Sequence, residues 1–533
     1  MNFNPLPYPI GQAVIFWLIL FGSVTGIVLA IALFTSLVAR GLKGPAAVLG
    51  QVRDFAVDMI RLSPRRVFAL SSLTFKEAIR RKALLIFVVF ALLFMFGGWF
   101  LSGTGERPDE QARVYISFVL RVIGWLTLPV VLLLSCWGIP EDIRARSLHT
   151  VVTKPARRNE IFLGRFLGFS AVGSIIVVIM GVVGYFWIVR QTPSDLVARV
   201  PRYGDLAFLD REGNPGRGVN VGDMWEFRSY VEGATRARGL WRFKDVYPGD
   251  NPDEGLVLES RFEAFRTHKG DMERGLLCEL SFFNPETELR VRHRPFQVKE
   301  FSQNEIKIDR KLSMYDEETN TTKEVDLFDD LITDGTLYVE ARAIDPGQYL
   351  GMARPDLFIR MANRPFYVGY AKAVFGIWMM AILVVALGVT ASCFVKGPVA
   401  TLLTLTFLII GQGFREFMDR MVFQNLNNVL AGGGPVESWI RLIRHMNPQV
   451  PMEPGVSTSI IQFVDARMFD LLWIVQHIVP DFRHFRMAPY IANGFDVNFE
   501  SAIVPGLAVM FGYLLPCLLL GYFSLKLREL EAK

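Results

Sequence analysis

The sequence predicts an α-helical polytopic membrane protein of about seven spans with an inserted extracytoplasmic β-sandwich domain. Three observations predict it. Apolar residues make up 51% of the 533 and fall in long blocks rather than being dispersed. Lys and Arg gather in three segments that an odd number of crossings can put on one side. One long polar stretch, residues 190–365, alternates apolar and polar side chains between turn signals.

The spans read as residues 13–38, 83–101, 114–137, 162–189, 370–394, 398–410 (extending to 414) and 502–525. In lipid a backbone must hydrogen-bond to itself, so blocks of bilayer length are helices. Only the turn Val395-Lys396-Gly397-Pro398 separates the fifth span from the sixth, making a helical hairpin. The chain thus divides into an extra N-terminal transmembrane helix (1–40), a basic cytoplasmic linker with an elbow helix (41–82) and a first transmembrane half (83–189). The β-rich domain (190–365), the hairpin (366–414), an extracytoplasmic helical segment (415–501) and the last span with its tail (502–533) follow.

Topology follows from charge, because cytoplasmic loops collect Lys and Arg. The first span is followed by Arg40, Lys43, Arg53, Arg61, Arg65, Arg66, Lys76, Arg80, Arg81 and Lys82. Between the third and fourth spans lie Arg144, Arg146, Lys154, Arg157 and Arg158, and the C-terminus adds Lys526, Arg528 and Lys533. Seven spans put all three groups inside, with the N-terminus outside and the C-terminus cytoplasmic. The first apolar stretch is too long for a cleaved signal peptide, and its positive charge follows rather than precedes it. It therefore reads as a retained anchor, and the whole as a multi-pass membrane protein, which by analogy alone, with no eukaryotic targeting signal in the sequence, suggests a bacterial inner membrane.

Period-two runs define the β-rich domain. Leu258, Ser260, Phe262 and Ala264 alternate with Glu259, Arg261 and Glu263, and His268-Lys269-Gly270-Asp271 offers a turn. Leu276, Cys278, Leu280 and Phe282 form a second run ending at Asn284-Pro285. Leu289, Val291 and His293 form a third, and Leu337, Val339, Ala341 and Ala343 a late one. Such alternation marks half-buried antiparallel strands. Residues 436–446 and 457–479 read as helices. The second places Ile460, Ile461, Val464, Met468, Leu471 and Leu472 on one face and Asp465 and Arg467 elsewhere. That helix either lies at the outer membrane surface or packs on the ectodomain.

The stretch most informative about mechanism is residues 138–165, GIPEDIRARSLHTVVTKPARRNEIFLGR. It opens with the acidic pair Glu141 and Asp142. A short helix is expected with Ile143, Leu148 and Val151 facing one way. Lys154-Pro155 ends it, since a residue before proline resists α geometry. A second basic helix runs into the fourth span. Upstream, residues 72–81 read as an amphipathic elbow helix parallel to the membrane.

The elbow with Phe75, Lys76, Glu77 and Arg80, two spans, and a loop running from an acid through Lys-Pro to Arg together resemble the permease subunit of ABC-2 type (type II) exporters. The likeness is closest to permeases of multicopper-enzyme-maturation ABC systems. That family shows Glu, then Gly-Thr-Leu, then Pro-x-x-Arg before a Gly-Arg/Lys-Phe/Leu entry to the next span. Glu141, Pro155, Arg158, Gly164 and Arg165 match, while Arg146-Ser147-Leu148 replaces Gly-Thr-Leu. The likeness covers residues 69–189 and the later spans by order only; the first span and the sandwich are additions.

The resemblance implies that the coupling loop, 138–161, seats in a separate ABC ATP-binding subunit through Glu141, Arg144, Leu148, Val151, Lys154, Pro155 and Arg158. Two permeases would pair, as a homodimer or a heterodimer with another permease, with spans two, three and six lining the path. A basic loop touching anionic lipid heads is the simpler alternative for Arg144, Arg157 and Arg158. Two other functions fit the same pattern: an ATP-driven mechanical transmitter without solute transport, or an anchor displaying the sandwich.

No G-x-x-x-x-G-K-[ST], H-E-x-x-H or G-x-S-x-G occurs in the sequence, so no ATPase or hydrolase site of those kinds is present. Neither an enzyme activity, a cofactor nor a metal is expected. The formal charge of +5 does not point to nucleic acid, and membrane lipids are the expected surroundings. Of Cys136, Cys278, Cys393 and Cys517, three sit in apolar blocks, which leaves no disulfide framework and no zinc spacing. His149, His268, His293, His445, His477 and His484 are scattered, and Met418, Met421, Met446 and Met452 read as packing. Arg121, a third of the way into the third span, is a functional candidate because intramembrane charge is costly. Snorkelling to the outer interface, or pairing in a dimer, also accounts for it. Lys372 reads as interfacial, and the Asn320-Thr321-Thr322 sequon matters only in a glycosylating pathway.

Overall fold

The structure is a computed structural model. It describes residues 8–41, 43–80, 86–87, 89–90, 92–94, 108–144, 157–192, 196–219, 228–248, 255–266, 275–299, 303–316, 321–361, 363–426, 433–447, 450 and 452–531. The chain forms two compact units. One is helical (residues 7–195, 370–493 and 497–533) and the other β-rich (residues 1–6, 196–369 and 494–496).

The helical unit begins with α1 (Ile10–Arg40), which buries none of its side chains. Its tie to α12 (Val504–Glu531) includes a hydrogen bond from the Trp17 indole N–H to the Gly512 carbonyl, 3.1 Å. Next come α2 (Lys43–Ile60), α3 (Pro64–Arg80), α4 (Pro108–Arg144) and α5 (Arg158–Gln191). After the β-rich residues, α6 (Phe366–Phe394) leads to α7 (Gly397–Ile409). A π-helical turn, Ile410–Phe414, carries α7 into α8 (Arg415–Leu426). Then follow α9 (Pro435–Ile443), α10 (Val456–Ile478), a 3-10 turn (Phe482–Phe485) and α11 (Ala488–Ala492). A second π turn, Phe499–Ile503, opens α12.

Among the described residues six helices are long and apolar enough to cross a membrane: residues 10–40, 111–144, 158–191, 366–394, 397–423 and 499–526. The expected span at 83–101 lies largely outside the described residues, with helical backbone at 86–87, 89–90 and 92–94. The architecture is mostly helical, with these six helices of membrane-spanning length and a separate β-rich region, as a membrane protein requires.

Three boundaries differ from the sequence reading. The elbow helix starts at Pro64, not Ser72, because proline is preorganised for a first helical turn, and a further helix, α2, fills the linker before it. The third span continues through Pro140 to Arg144. Glu141, Asp142 and Ile143 are therefore its last turn rather than the opening of a new helix, and the Asp142 ion pair described below holds that turn in place. The helix of the sixth span runs on to Leu426, through the charges Arg415, Glu416, Asp419 and Arg420, where the sequence reading ended it at 414. Arginine and glutamate favour a helix as well as most apolar residues do, so loss of hydropathy there does not mark a helix end.

In the β-rich unit a seven-stranded antiparallel sheet runs in the order Arg290–Arg292, Leu276–Phe283, Leu337–Ala343, Arg238–Phe243, Asp205–Leu209, Pro215–Gly216, with Phe296–Val298 also on Leu276–Phe283. Its register pairs Phe282 with Val339 and Cys278 with Ala343, so two expected runs are neighbours. Asn304–Ile308, Leu256–Ser260, Leu357–Arg360 and Pro201–Tyr203 form a four-stranded sheet, and Ser229–Glu232, Gln348–Met352 and Glu263–Arg266 a three-stranded one.

The single run expected over 258–264 is in fact two strands in different sheets. The chain changes sheet at Arg261 and Phe262, where the Arg261 N–H donates to the Asp356 carbonyl, 2.7 Å. Alternation alone cannot report such a switch, because Phe262 stays buried through it. Trp241, Phe243, Phe262 and Phe282 sit in one continuous core. Buried carboxylates are met by arginines across strands: Glu259 by Arg199 at 2.6 Å and Arg360 at 3.7 Å, Glu340 by Arg238 and Arg290, each at 2.8 Å. The turn at 268–271 and Asn320 lie outside the described residues.

Candidate functional site

The elbow meets the two helices that flank the basic loop. α3 lies along the first turns of α5, where Gly164 and Gly168, four residues apart, let the backbones approach as small residues do in membrane helix pairs. A Cβ on Gly164 would stand 2.5 Å from Leu70 Cβ, and one on Gly168 2.8 Å from the Ser71 carbonyl oxygen. At the end of this contact Glu77 of α3 meets Arg165 of α5, 2.6 Å. The same guanidinium pairs with Asp142 in the last turn of α4. One arginine therefore ties three helices.

Glu160 ties α3 and α5 from the other end. It is fully buried. Its Oε2 accepts the Arg157 N–H at 2.9 Å, closing the start of α5, and its Oε1 accepts the Ser63 N–H at 3.0 Å, just ahead of α3. Arg66 adds an ion pair at 3.4 Å. A carboxylate is stabilised here by the unpaired N–H groups and the positive end of a helix. Nearby, Arg157 approaches Asp58 of α2 at 3.6 Å, and the Tyr522 hydroxyl of α12 donates to Asp58 at 3.0 Å. Asn159 is buried, and among the described residues neither of its amide atoms has a hydrogen-bond partner.

Of the expected coupling residues, Glu141 and Arg144 are exposed on the last turn of α4, and Arg158 is half-buried in the first turn of α5. Leu148, Val151, Lys154 and Pro155 lie outside the described residues. In the elbow, Phe75 and Glu77 are half-buried while Lys76 and Arg80 are exposed. Arg121 is exposed on α4. The structure thus brings together Glu77, Asp142 and Arg165, while Glu160 was missed by sequence reasoning. Its signal was local: a Glu three residues after the helix-preceding residue, the reaching-back half of a capping box.

A second constellation lies where the 3-10 turn Phe482–Phe485 wedges among apolar helices. Phe482 and Phe485 are fully buried. Gly411, in the first π turn, faces the Pro480 carbonyl and the Phe482 ring, whose Cδ2 would lie 2.6 Å from an added Cβ. Gly376 of α6 faces the Phe485 carbonyl at 2.7 Å on the same measure, and both π turns touch this segment. Charge pins its edge. Arg483 pairs with Asp481 at 2.6 Å and with Asp419 of α8, and Arg415 pairs with Asp419 at 3.1 Å and donates to the Val479 carbonyl at 3.1 Å. His477 packs on Trp473, and His484 faces Asp481 at 3.8 Å. Asp465 of α10 accepts the Val436 and Glu437 N–H groups at 2.7 and 3.0 Å, capping α9.

No family model, curated protein or solved structure matches the chain.

All four cysteines are free and buried, and burial beside Glu279 pushes the Cys278 thiol well above its ordinary range. The thiolate is the reactive form. A charged maleimide is therefore expected to leave all four unlabelled in the native protein and to label them after unfolding, as mass spectrometry would show. Ready labelling of the native form would contradict this packing.

Proposed function

We propose that the chain is the permease subunit of an ABC-2 type transporter, coupling ATP hydrolysis by a separate nucleotide-binding subunit to export across or from a bacterial inner membrane. The reading includes seven spans, a sandwich-type extracytoplasmic domain and pairing of two permeases. One observation supports it most: the two ends of the basic segment 145–156 are anchored by the same ionic framework. Arg165 joins the elbow to both flanking helices, and Glu160 joins the start of α5 to the start of α3. A push on that segment would reach three helices together instead of bending one loop. A lipid-contacting loop has no need of buried carboxylates at its base.

The test is reconstitution with an ABC ATP-binding subunit from the same organism. Replacing residues 145–156 by a Gly/Ser linker is expected to abolish co-purification of that subunit while leaving the thermal midpoint of the permease unchanged. Retention of the subunit would defeat the coupling assignment. His149→Cys should react with a charged maleimide only from the cytoplasmic face. ATP-dependent solute flux into sealed vesicles separates export from mechanical transmission.

A further inference from the structure

Arg113, Ser117, Arg121 and Trp125 recur every fourth residue and so form a stripe on one face of α4, with Phe118 and Val122 beside them around a shallow concavity. Both arginines and Trp125 are exposed. Among the described residues neither arginine has an ion-pair partner. Arg121 lies eight residues beyond Arg113, about 12 Å further along the helix at the α-helical rise. Helical side chains lean toward the N-terminus, so the Arg121 guanidinium is directed back toward Ser117 and Arg113. The apolar side chains Val122 and Trp125 continue deeper into the span.

We propose that this face binds an anionic amphiphile from the leaflet that holds the N-terminal end of α4. Its headgroup would sit between Arg113, Ser117 and Arg121, with its apolar tail along Phe118, Val122 and Trp125. Arginine suits phosphate or carboxylate by its fork of donors, and an unpaired guanidinium on an apolar span needs a counter-charge. The same arginine of a second copy cannot be that counter-charge. A two-fold axis along the membrane normal would set Arg121 at the same depth as its symmetry mate, and like charges at close range repel. The order of groups, cationic then apolar with depth, matches a lipid-like molecule rather than a free anion. The inference stands apart from the ATPase coupling proposed above and needs no ATPase for its test.

The full chain is placed in phosphatidylcholine nanodiscs containing a minor share of phosphatidylglycerol, and retained lipid is read by native mass spectrometry after stepwise delipidation. Wild type is expected to retain phosphatidylglycerol over phosphatidylcholine, and Arg113→Gln/Arg121→Gln to lose that preference at least about tenfold. Arg121→Lys should keep part of it, since lysine supplies charge without the fork. The same thermal midpoint in all three excludes misfolding, which the exposure of both side chains makes the expected result. Equal retention by the double variant would overturn the proposal. So would displacement of the lipid by soluble glycerol phosphate at comparable concentration, which would mark a free-anion site. A change of oligomeric state in the double variant, with lipid retention unaltered, would mark the face as a contact between copies and overturn it as well.

Discussion

Arg165→Ala should lower the stability of the helical unit by about 3–5 kcal/mol, the cost of removing one partner from a buried ion pair. The burden falls unequally. The Asp142 side chain is 5% exposed and loses the guanidinium that faces it in the interior, whereas Glu77, 36% exposed, has water to replace it. Glu77→Gln should therefore cost about 1 kcal/mol or less. The double change Arg165→Met with Asp142→Leu should restore most of the lost midpoint, because replacing both members of the pair by apolar groups leaves no half of it buried alone. It should not restore stimulation of the partner ATPase, because the rigid link between α3, α4 and α5 would be gone. Midpoints in detergent and ATPase rates of the reconstituted pair read the two effects separately. Recovery of both in the double variant would mean that the arginine contributes stability alone, and an unchanged midpoint for Arg165→Ala would mean that the pair does not form.

The parts legible in the sequence were those set by hydropathy over long windows and by strict alternation. The apolar blocks at 114–137, 162–189, 370–394 and 502–525 fall inside helices, and Leu276 to Phe282 and Leu337 to Ala343 are buried faces of adjacent strands. Charge was misleading in both directions. Arg415 and Asp419 suggested an end to the sixth span, yet the helix continues through them, and their partners Asp481 and Arg483 arrive from 60 or more residues away. Asp465 was placed off the apolar face of its helix, which is correct as periodicity, but its burial comes from capping a different helix. Long-range partners of single polar side chains carry no periodic signal. Glu160 was hidden for the same reason, since half of its work is done on Ser63, 97 residues earlier.

Phe482→Ala is expected to have the other large effect, about 3–5 kcal/mol for emptying a fully buried aromatic site. The surroundings have little means of closing the gap. On one side stands the π turn Ile410–Phe414, whose wider winding accommodates an extra residue in the helix. Gly411 there meets the Pro480 carbonyl and the Phe482 ring directly. Filling the contact from that side should also destabilise: Gly411→Val presses on a backbone carbonyl rather than on a flexible side-chain end, and overpacking of this kind costs about 1–3 kcal/mol. The two changes differ in mechanism. Loss of the ring leaves Arg483 and Arg415 in place, so the edge of the wedge stays pinned to α8 while its centre empties. The added valine keeps the ring and drives the wedge outward against those ion pairs. Amide hydrogen exchange over residues 479–487 should therefore rise strongly for Gly411→Val, and the combined variant should not recover the loss, since a valine cannot fill a benzyl-sized space. If Phe482→Ala melts with the wild type, the segment is a surface loop and its contacts with Gly376 and Gly411 do not hold the helices together.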